Sequence, residues 1–396
     1  MRKKRVLLLS EGFGAGHTQA AHALSRGLRM LSPDIQTRVL ELGSFLHPTL
    51  APWIFTAYRK TVTSQPKLYG MMYRYKHKKS LNRFTRLALH RIFYAHAAEV
   101  IAQLRPDTVV CTHPFPSAVI SRLKRTGLNV PLCTVITDYD AHGTWVSPEV
   151  NKYLVSTPDV KRQLLARGVA ADSVEVTGIP VHPNFWEPHN REELRTRFRL
   201  KAMPTVLIMG GGWGLMDSEP FLQHFTRWRD RIQLILCLGN NEKALQALSE
   251  DERFRHENIR LLGFTKEVDK WMDVSDLLIT KPGGMTCTEA LAKGIPMLFY
   301  KPIPGQEEEN LQYFTEHGFG EQIRSEETIE YWFKLLISRY PDMQKRRIRL
   351  NPQTSGYNPM NSIHAIMDIL QRSRGFIESS KPASIELQTS LELQSK

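Results

Sequence analysis

The sequence predicts an α/β protein made of two Rossmann-like, doubly wound halves facing across a cleft. Short apolar runs, each bounded by glycine, proline or an acidic residue, alternate with segments of helical periodicity along most of the 396 residues. The alternation halts at a proline-containing joint beginning at Gly178 and restarts at Thr205. A glycine-rich turn follows the first strand of each half, at residues 12–16 and 210–214, where an open parallel sheet presents its site. The length suits two domains.

The elements follow in order. Residues 6–10 are expected to be a buried strand behind the basic cap Arg2, Lys3, Lys4 and Arg5. This opening imitates a signal peptide, but its apolar core is short and Glu11 and Gly12 interrupt it, so a strand is expected. After the turn, a helix over 18–31 carries Ala20, Ala21, Ala23, Leu24, Leu28 and Leu31 as its apolar positions. A second strand spans 35–40, and helical pieces fall within 52–75 and 80–104. A strand over 108–111 ends at His113-Pro114-Phe115-Pro116, and a helix from Ser117 leads to a strand over 132–137 that ends in Asp138. Short strands are expected at 152–155 and 173–176. Residues 178–183 and the charged stretch to Pro204 read as a linker. In the second half, strands are expected at 205–209, 233–238, 259–263, 277–280 and 297–300, with helices from about Glu219 and over 268–274.

Composition is globular, with 41% hydrophobic and 23% charged residues. No run approaches the ~20 apolar residues of a membrane-spanning helix. The four cysteines show no metal-ligand spacing, and a reduced, cytoplasmic protein is expected. The formal charge of +13 is unevenly placed: between Glu41 and Glu99 there is no acidic residue but ten Lys or Arg. Among them are Lys60, Arg74, Lys76, Lys78 and Lys79, interleaved with aromatics such as Trp53, Phe55 and Tyr58. An anionic membrane surface or a nucleic acid would suit such a stretch, and a solvated basic helix packed on its own core is the plain alternative. Nucleic acid is not expected, since no nucleic-acid motif accompanies the charge.

The strongest motif is Lys281-Pro282-Gly283-Gly284-Met285-Thr286-Cys287-Thr288-Glu289, followed one strand later by Pro304-Gly305-Gln306-Glu307-Glu308-Glu309-Asn310. Pro282 ends the preceding strand. Gly283 and Gly284 are expected to allow positive φ and close backbone approach. Met285 and Thr286 offer amides at a helix N-terminus, where a phosphate is stabilised. Glu289, one turn in, is placed to hold a ribose hydroxyl, and the loop with Gln306, Glu307 and Asn310 to read sugar hydroxyls. The combination reads as the two parts of a nucleotide-sugar site rather than an ordinary strand–loop–helix. Gly263 and Phe264 are candidates for the base, and Gly211 and Gly212 for a second anion-binding loop.

In the first half, Glu11-Gly12-Phe13-Gly14-Ala15-Gly16-His17 places Gly16 and His17 at the start of a helix facing the cleft. The helix dipole lowers the pKa of a histidine there, so it is neutral and able to accept a proton; a turn-capping histidine is the alternative. Asp138 at a strand tip could orient His17 or take the proton itself. His142 and Trp145 could bind donor or acceptor. Asp138 and His142 lack a third ligand of suitable spacing, and no metal is expected.

Together these residues resemble glycosyltransferase family 28. The resemblance rests on residues 10–21, on Thr137 and Asp138 with His142 and Trp145, on Gly178-Ile179-Pro180, and on the two motifs at 282–289 and 304–310. Within the family, the chain is similar to the bacterial processive diacylglycerol glucosyltransferases and the plant monogalactosyldiacylglycerol synthases. Where the plant relatives carry Asp and a three-glycine run, this chain has Glu11 and Gly14-Ala15-Gly16.

The resemblance implies a GT-B fold. Residues 1–180 would form an N-terminal acceptor- and membrane-binding domain and 181–357 a C-terminal UDP-sugar-binding domain. Residues 358–373 would form a helix crossing back, and 374–396 a disordered tail. It further implies an inverting transfer from a UDP-sugar, a substrate rather than a cofactor, with no cofactor and no essential metal. The expected enzyme is peripheral on the inner face of the cell membrane, takes its acceptor from the lipid, and contacts anionic lipid through the stretch at 42–98. Transfer of glucose to diacylglycerol is the leading reading. A polyprenyl-linked sugar or a glycolipid as acceptor remains open, as do galactose as the sugar, a UDP-sugar 2-epimerase of the same architecture, and the oligomeric state.

Overall fold

A computed structural model of the chain describes residues 3–64, 70, 96–210, 219–340 and 358–379. Two six-stranded sheets form its frame. The first contains β1 (Lys4–Ser10), β2 (Ile35–Glu41), β3 (Thr108–Cys111), β4 (Leu132–Val135), β5 (Lys152–Val155) and β6 (Val174–Val176), in the order β2-β1-β3-β4-β5-β6. The second contains β7 (Thr205–Met209), β8 (Gln233–Cys237), β9 (Ile259–Leu262), β10 (Leu277–Thr280), β11 (Met297–Phe299) and β12 (Gly320–Gln322), in the order β12-β11-β10-β7-β8-β9. Every pairing is parallel. The strand tips of each sheet therefore emerge at one edge, and near-continuous apolar runs such as Val206-Leu207-Ile208 are covered on both faces.

Parallel connections need crossovers, and helices supply them. In the first half these are α1 (Ala15–Leu31), α2 (Leu42–Leu46), α3 (Ala51–Ser64), α4 (Ala97–Leu104), α5 (Pro114–Arg125) and α6 (Pro158–Ala166). The joint carries α7 (Arg191–Arg197). The second half has α8 (Glu219–Thr226), α9 (Glu242–Glu250), α10 (Val268–Val274), α11 (Gly284–Ala292), α12 (Gln306–Glu316) and α13 (Glu326–Ser338), and the chain's last described helix is α14 (Asn361–Ser379).

Strand order reverses between β1 and β3 in the first sheet and between β7 and β10 in the second. A crevice opens at such a switch point, and this is where open α/β sheets bind ligands. The motif at 11–17 follows β1 and the motif at 281–289 follows β10, so topology brings both to the switch points.

The last helix returns to the first domain. Ile363, Ile366 and Leu370 share one face of α14 and, with Ala365, pack in a cluster with Val6, Leu8, Ala21, Leu24 and Leu28. Each fully buried Ile or Leu there contributes about 2 kcal/mol. Ser362 Oγ donates to Thr177 Oγ1 at 2.9 Å and anchors the helix start. The helix runs to Ser379, beyond the expected end at residue 373.

Three local differences from the sequence reading have physical causes. α5 starts at Pro114 rather than Ser117, because His113 caps it and Pro114 takes the first helical position. The expected polar loop at 304–310 is helical from Gln306: Gly305 turns the chain at φ 102, and the Glu308 carboxylate accepts from Gly305 N at 2.9 Å. Gly283 and Gly284 do not use positive φ; Gly283 is an extended N-cap at φ −77 and Gly284 is already helical. Much of the basic stretch, including Arg74, Lys76, Lys78 and Lys79, lies outside the described residues, as do Gly211 and Gly212.

Candidate active site

His17 sits in the first turn of α1, beside the tips of β3 and β4. Its Nδ1 lies 2.9 Å from the Thr112 carbonyl oxygen and 2.7 Å from Thr137 Oγ1. A carbonyl oxygen only accepts, so Nδ1 carries the ring hydrogen and the neutral ring keeps its lone pair on Nε2. Thr112 Oγ1 donates back to the His17 carbonyl at 2.8 Å, locking the pair. Burial pushes the His17 pKa down to about 4, against a weaker opposing pull from the Thr112 carbonyl. The lowering matches the expected direction, and its chief cause is burial.

Around His17 lies a cluster of rings. His113 meets it edge-on at 4.7 Å between centroids. Trp145, fully buried, lies at 6.2 Å from His17 and 5.9 Å from His142. His142 precedes a short 3-10 turn (Gly143–Trp145), and its Nδ1 lies 2.5 Å from Thr144 Oγ1. Phe13, from the glycine turn, stacks on His113 at 5.7 Å and packs edge-on against Phe55 and Tyr58 of α3. On α3, Trp53 is 78% exposed and Lys60 is also exposed; Phe45 and Leu50 are exposed close by in the chain.

The second domain meets this wall at the N-terminus of α11. A Cβ on Gly284 would fall 2.5 Å from the Thr137 carbonyl oxygen and 3.5 Å from Asp138 Oδ1. Gly16 meets Met285 in the same way, a Cβ there coming 3.1 Å from Met285 Cγ. In this turn Gly283 N donates to Lys281 O at 2.8 Å, and the first amide of α11 to find a carbonyl is Cys287 N, on Gly283 O at 3.0 Å. The amides of Gly284, Met285 and Thr286 precede it and point along the helix dipole toward the cleft, a ready anion site. Close backbone approach, expected of these glycines for a ligand, here admits the tip of β4.

Several predicted sugar-reading residues engage the first domain. Gln306 Nε2 donates to Asp138 Oδ1. Asn310 is fully buried; its Oδ1 accepts from Tyr139 N at 3.0 Å and its Nδ2 donates to Pro282 O at 3.1 Å. Tyr139 enters the core of the second domain, stacked on Tyr313 at 4.4 Å, with its hydroxyl 2.8 Å from Thr288 Oγ1. Glu307 accepts from Ile303 N at 2.6 Å, and burial raises its pKa.

The site's carboxyls are poised to hold protons. Burial raises Asp138 to about 7, opposed by the Gln306 bond and aided by the charges of Asp140 and Glu307. Burial and the nearby Asp269 raise Glu289 to about 8. Gly263 and Phe264 follow β9, with Phe264 66% exposed. Among the described residues, no group of three or more His, Cys, Asp or Glu is placed to hold a metal ion. A cavity of about 570 Å³ beside β12, lined by Leu311, Arg324, Tyr331 and Trp332 among others, shares no lining residue with this site.

Thr112, His113, Phe13 and Tyr139 had no assigned role in the sequence. Their significance comes from pairing between β1 and β3 and from contact between domains. The only local signal was His113 directly before Pro114 at a strand tip.

Two doubly wound domains joined face to face, with a terminal helix returning to the first, make this a GT-B protein. Residues 17–181 match the monogalactosyldiacylglycerol synthase family model, and residues 205–358 match the glycosyltransferase family 28 C-terminal domain. The processive diacylglycerol beta-glucosyltransferase of Bacillus subtilis is 32% identical over 340 residues, 84% of this chain and 87% of that one. The Bacillus thuringiensis protein of the same name is 29% identical over 379 residues, 94% of this chain and 95% of that one. The chain belongs to glycosyltransferase family 28 and is a glycosyltransferase. Among solved structures, Acinetobacter baumannii MurG aligns with a TM-score of 0.60 at 17% identity, covering 93% of this chain and 99% of that one. The Neisseria meningitidis UDP-GlcNAc 2-epimerase, bound to UDP-GlcNAc, aligns at 0.58 and 15%, covering 93% and 100%. Anabaena HepE with UDP-glucose aligns at 0.56 and 12%, covering 95% and 99%. These likenesses show the fold, which transferases and an epimerase share. Among the described residues, no helix is long and apolar enough to cross a membrane.

Proposed function

We propose that this enzyme transfers glucose from UDP-glucose to the hydroxyl of diacylglycerol, with inversion at the anomeric carbon. The observation that carries the reading is His17: its Nδ1 hydrogen is committed to Thr112, and its domain wall touches the N-terminus of α11 through Thr137 and Gly284. A neutral base and an anion-binding helix end thus stand side by side. His17 Nε2 takes the acceptor proton, the acceptor oxygen bonds to the anomeric carbon, and the bond from that carbon to UDP breaks on the opposite face. The amides at 284–286 and the dipole stabilise the departing diphosphate.

The remaining donor contacts follow from position. Glu289 holds ribose, Gly263 and Phe264 the uracil, and Gly211 and Gly212 add a second anion loop. Gln306 and Glu307 serve the sugar end, with Gln306 exchanging Asp138 for a hexose hydroxyl; Asn310, expected there from the sequence, is instead buried with both polar atoms on the backbone of Tyr139 and Pro282. Asp138 is the alternative base; the part of orienting His17, also expected of it, falls to Thr112 and Thr137. The donor is a substrate, and the reaction needs no cofactor.

Support for glucose and diacylglycerol comes from the relatives' names, and the β linkage in those names is what inversion of an α-linked UDP-glucose yields. Solved neighbours hold UDP-glucose and UDP-GlcNAc. Exposed Trp53, Phe45 and Leu50 beside the basic stretch suit peripheral attachment to the inner, anionic membrane face, each Lys or Arg adding about 1 kcal/mol near that surface.

The test is a panel of radiolabelled UDP-hexoses incubated with diacylglycerol vesicles. Labelled glucolipid from UDP-glucose is expected. Absence of lipid product with every donor, or epimerisation of the donor instead, would overturn the reading.

A further inference from the structure

His113 presents a second imidazole to the same space as His17, with the opposite hydrogen-bonding sense. Its Nδ1 accepts from Phe115 N at 3.2 Å as the N-cap of α5. That lone pair is spent on the backbone, so the neutral ring carries its hydrogen on Nε2. His17 is the reverse, a donor at Nδ1 with its lone pair on Nε2. The rings stand 4.7 Å apart and nearly perpendicular, at 86°. Among the described residues, neither Nε2 has a hydrogen-bond partner, and neither belongs to the sealed, partnerless buried nitrogens. His113 is only 6% exposed.

We propose that His113 is an acceptor-binding residue: its Nε2–H donates to the oxygen of the acceptor hydroxyl while His17 Nε2 takes the proton of that hydroxyl. This deepens the function proposed above and rests on it. The acceptor O–H bond breaks, its proton goes to His17, and its oxygen bonds to the anomeric carbon as UDP leaves with the electrons of the broken bond. His113 keeps its proton throughout and fixes where the oxygen lies before attack.

The surroundings also select the kind of alcohol. Phe13 covers His113 in a stacked arrangement and joins Phe55, Tyr58 and Phe115. The wall beyond the imidazole pair is thus aromatic, and it suits a hydroxyl carried on an apolar body. Burial favours the neutral form of both rings, and charge on His17 or His142 would further oppose protonation of His113.

Asparagine separates the two roles of His113. It is a good N-cap, so His113→Asn keeps the α5 cap through its Oδ1 while removing the ring with its Nε2–H and its contacts to Phe13, His17 and Phe115. A fall of about ten-fold in kcat/KM for diacylglycerol is expected, the scale of one lost hydrogen bond, with KM for UDP-glucose unchanged. Wild-type acceptor kinetics in this variant, or an equal loss toward donor and acceptor, would overturn the proposal. NMR of the ¹⁵N-histidine-labelled wild-type protein reads the tautomers without turnover: His17 as Nδ1–H and His113 as Nε2–H at pH 7. A reversed tautomer at either ring overturns the pairing even if diacylglycerol is glucosylated. A wild-type enzyme that glucosylates no lipid, yet shows these tautomers, removes the acceptor reading and with it the role of His113.

Discussion

The ring of His17 donates from Nδ1 to the backbone carbonyl of Thr112 at 2.9 Å, across 95 residues of sequence. A main-chain carbonyl thereby fixes the tautomer of a cleft histidine, the task a carboxylate performs in hydrolase triads. A carbonyl adds no full negative charge, so it raises the ring's basicity less, and burial keeps the ring neutral. His17→Ala is expected to lower kcat by about 10²- to 10⁴-fold, the contribution of a positioned base. Binding of UDP, followed by calorimetry, should persist.

Gly284→Ala tests the contact between domains. Alanine is acceptable at this helical position, so any penalty comes from its Cβ, which would stand 2.5 Å from the Thr137 carbonyl. Backbone on both sides leaves little room to yield. Pushing the domains apart by a fraction of an ångström moves α11 away from His17, and a loss of about 10²-fold in kcat is expected from misplacement on that scale. The thermal unfolding midpoint should fall as well, because Ala20 and Tyr139 of the first domain share a buried core with the second.

Asn310→Ala should behave differently. It strips partners from Tyr139 N and Pro282 O at a fully buried position. Leaving such groups unsatisfied costs about 1–3 kcal/mol each. A clear fall in denaturant midpoint, together with lower activity, is expected in a urea titration read by fluorescence.

Glu289 links stability to pH. Its pKa moves from the ordinary 4.5 to about 8 through burial and the charge of Asp269. Between those values the folded state holds a proton that the unfolded chain lacks, so this contribution is complete below 4.5 and is lost as pH rises through about 8. Glu289→Gln should therefore raise the melting temperature above pH 8 by roughly 2–4 °C per kcal/mol gained. Near pH 5, where both side chains are neutral, scanning calorimetry should show no gain.

Much of the donor half was legible in the sequence because its signals are local. Pro282 ends β10, Gly283 caps α11, and Thr286 and Glu289 fall at helical spacing. The reason for Gly284 was not legible, since its demand comes from Thr137 in the other domain. Gln306, Glu307 and Asn310 read as a loop because their acidic neighbours look solvated, yet those acids suit the first turn of α12. His113 was hidden for a related reason. Its neighbours Phe13 and His17 reach it only through the pairing of β1 with β3, across a long insertion that contains α3. Local pattern fixed the elements and their order, while the acceptor wall depends on contacts distant in sequence.

The most direct test of His17 as the base is the pH dependence of kcat/KM for the lipid acceptor, which reports the free enzyme. A base must be deprotonated to act. His17 loses its proton at about 4, and Asp138 at about 7. With His17 as the base, the rate should hold level from pH 8 down to about 5.5 and fall only below that. An acid limb centred near 7, with activity abolished in Asp138→Asn but retained in His17→Ala, would contradict it and give the proton to Asp138.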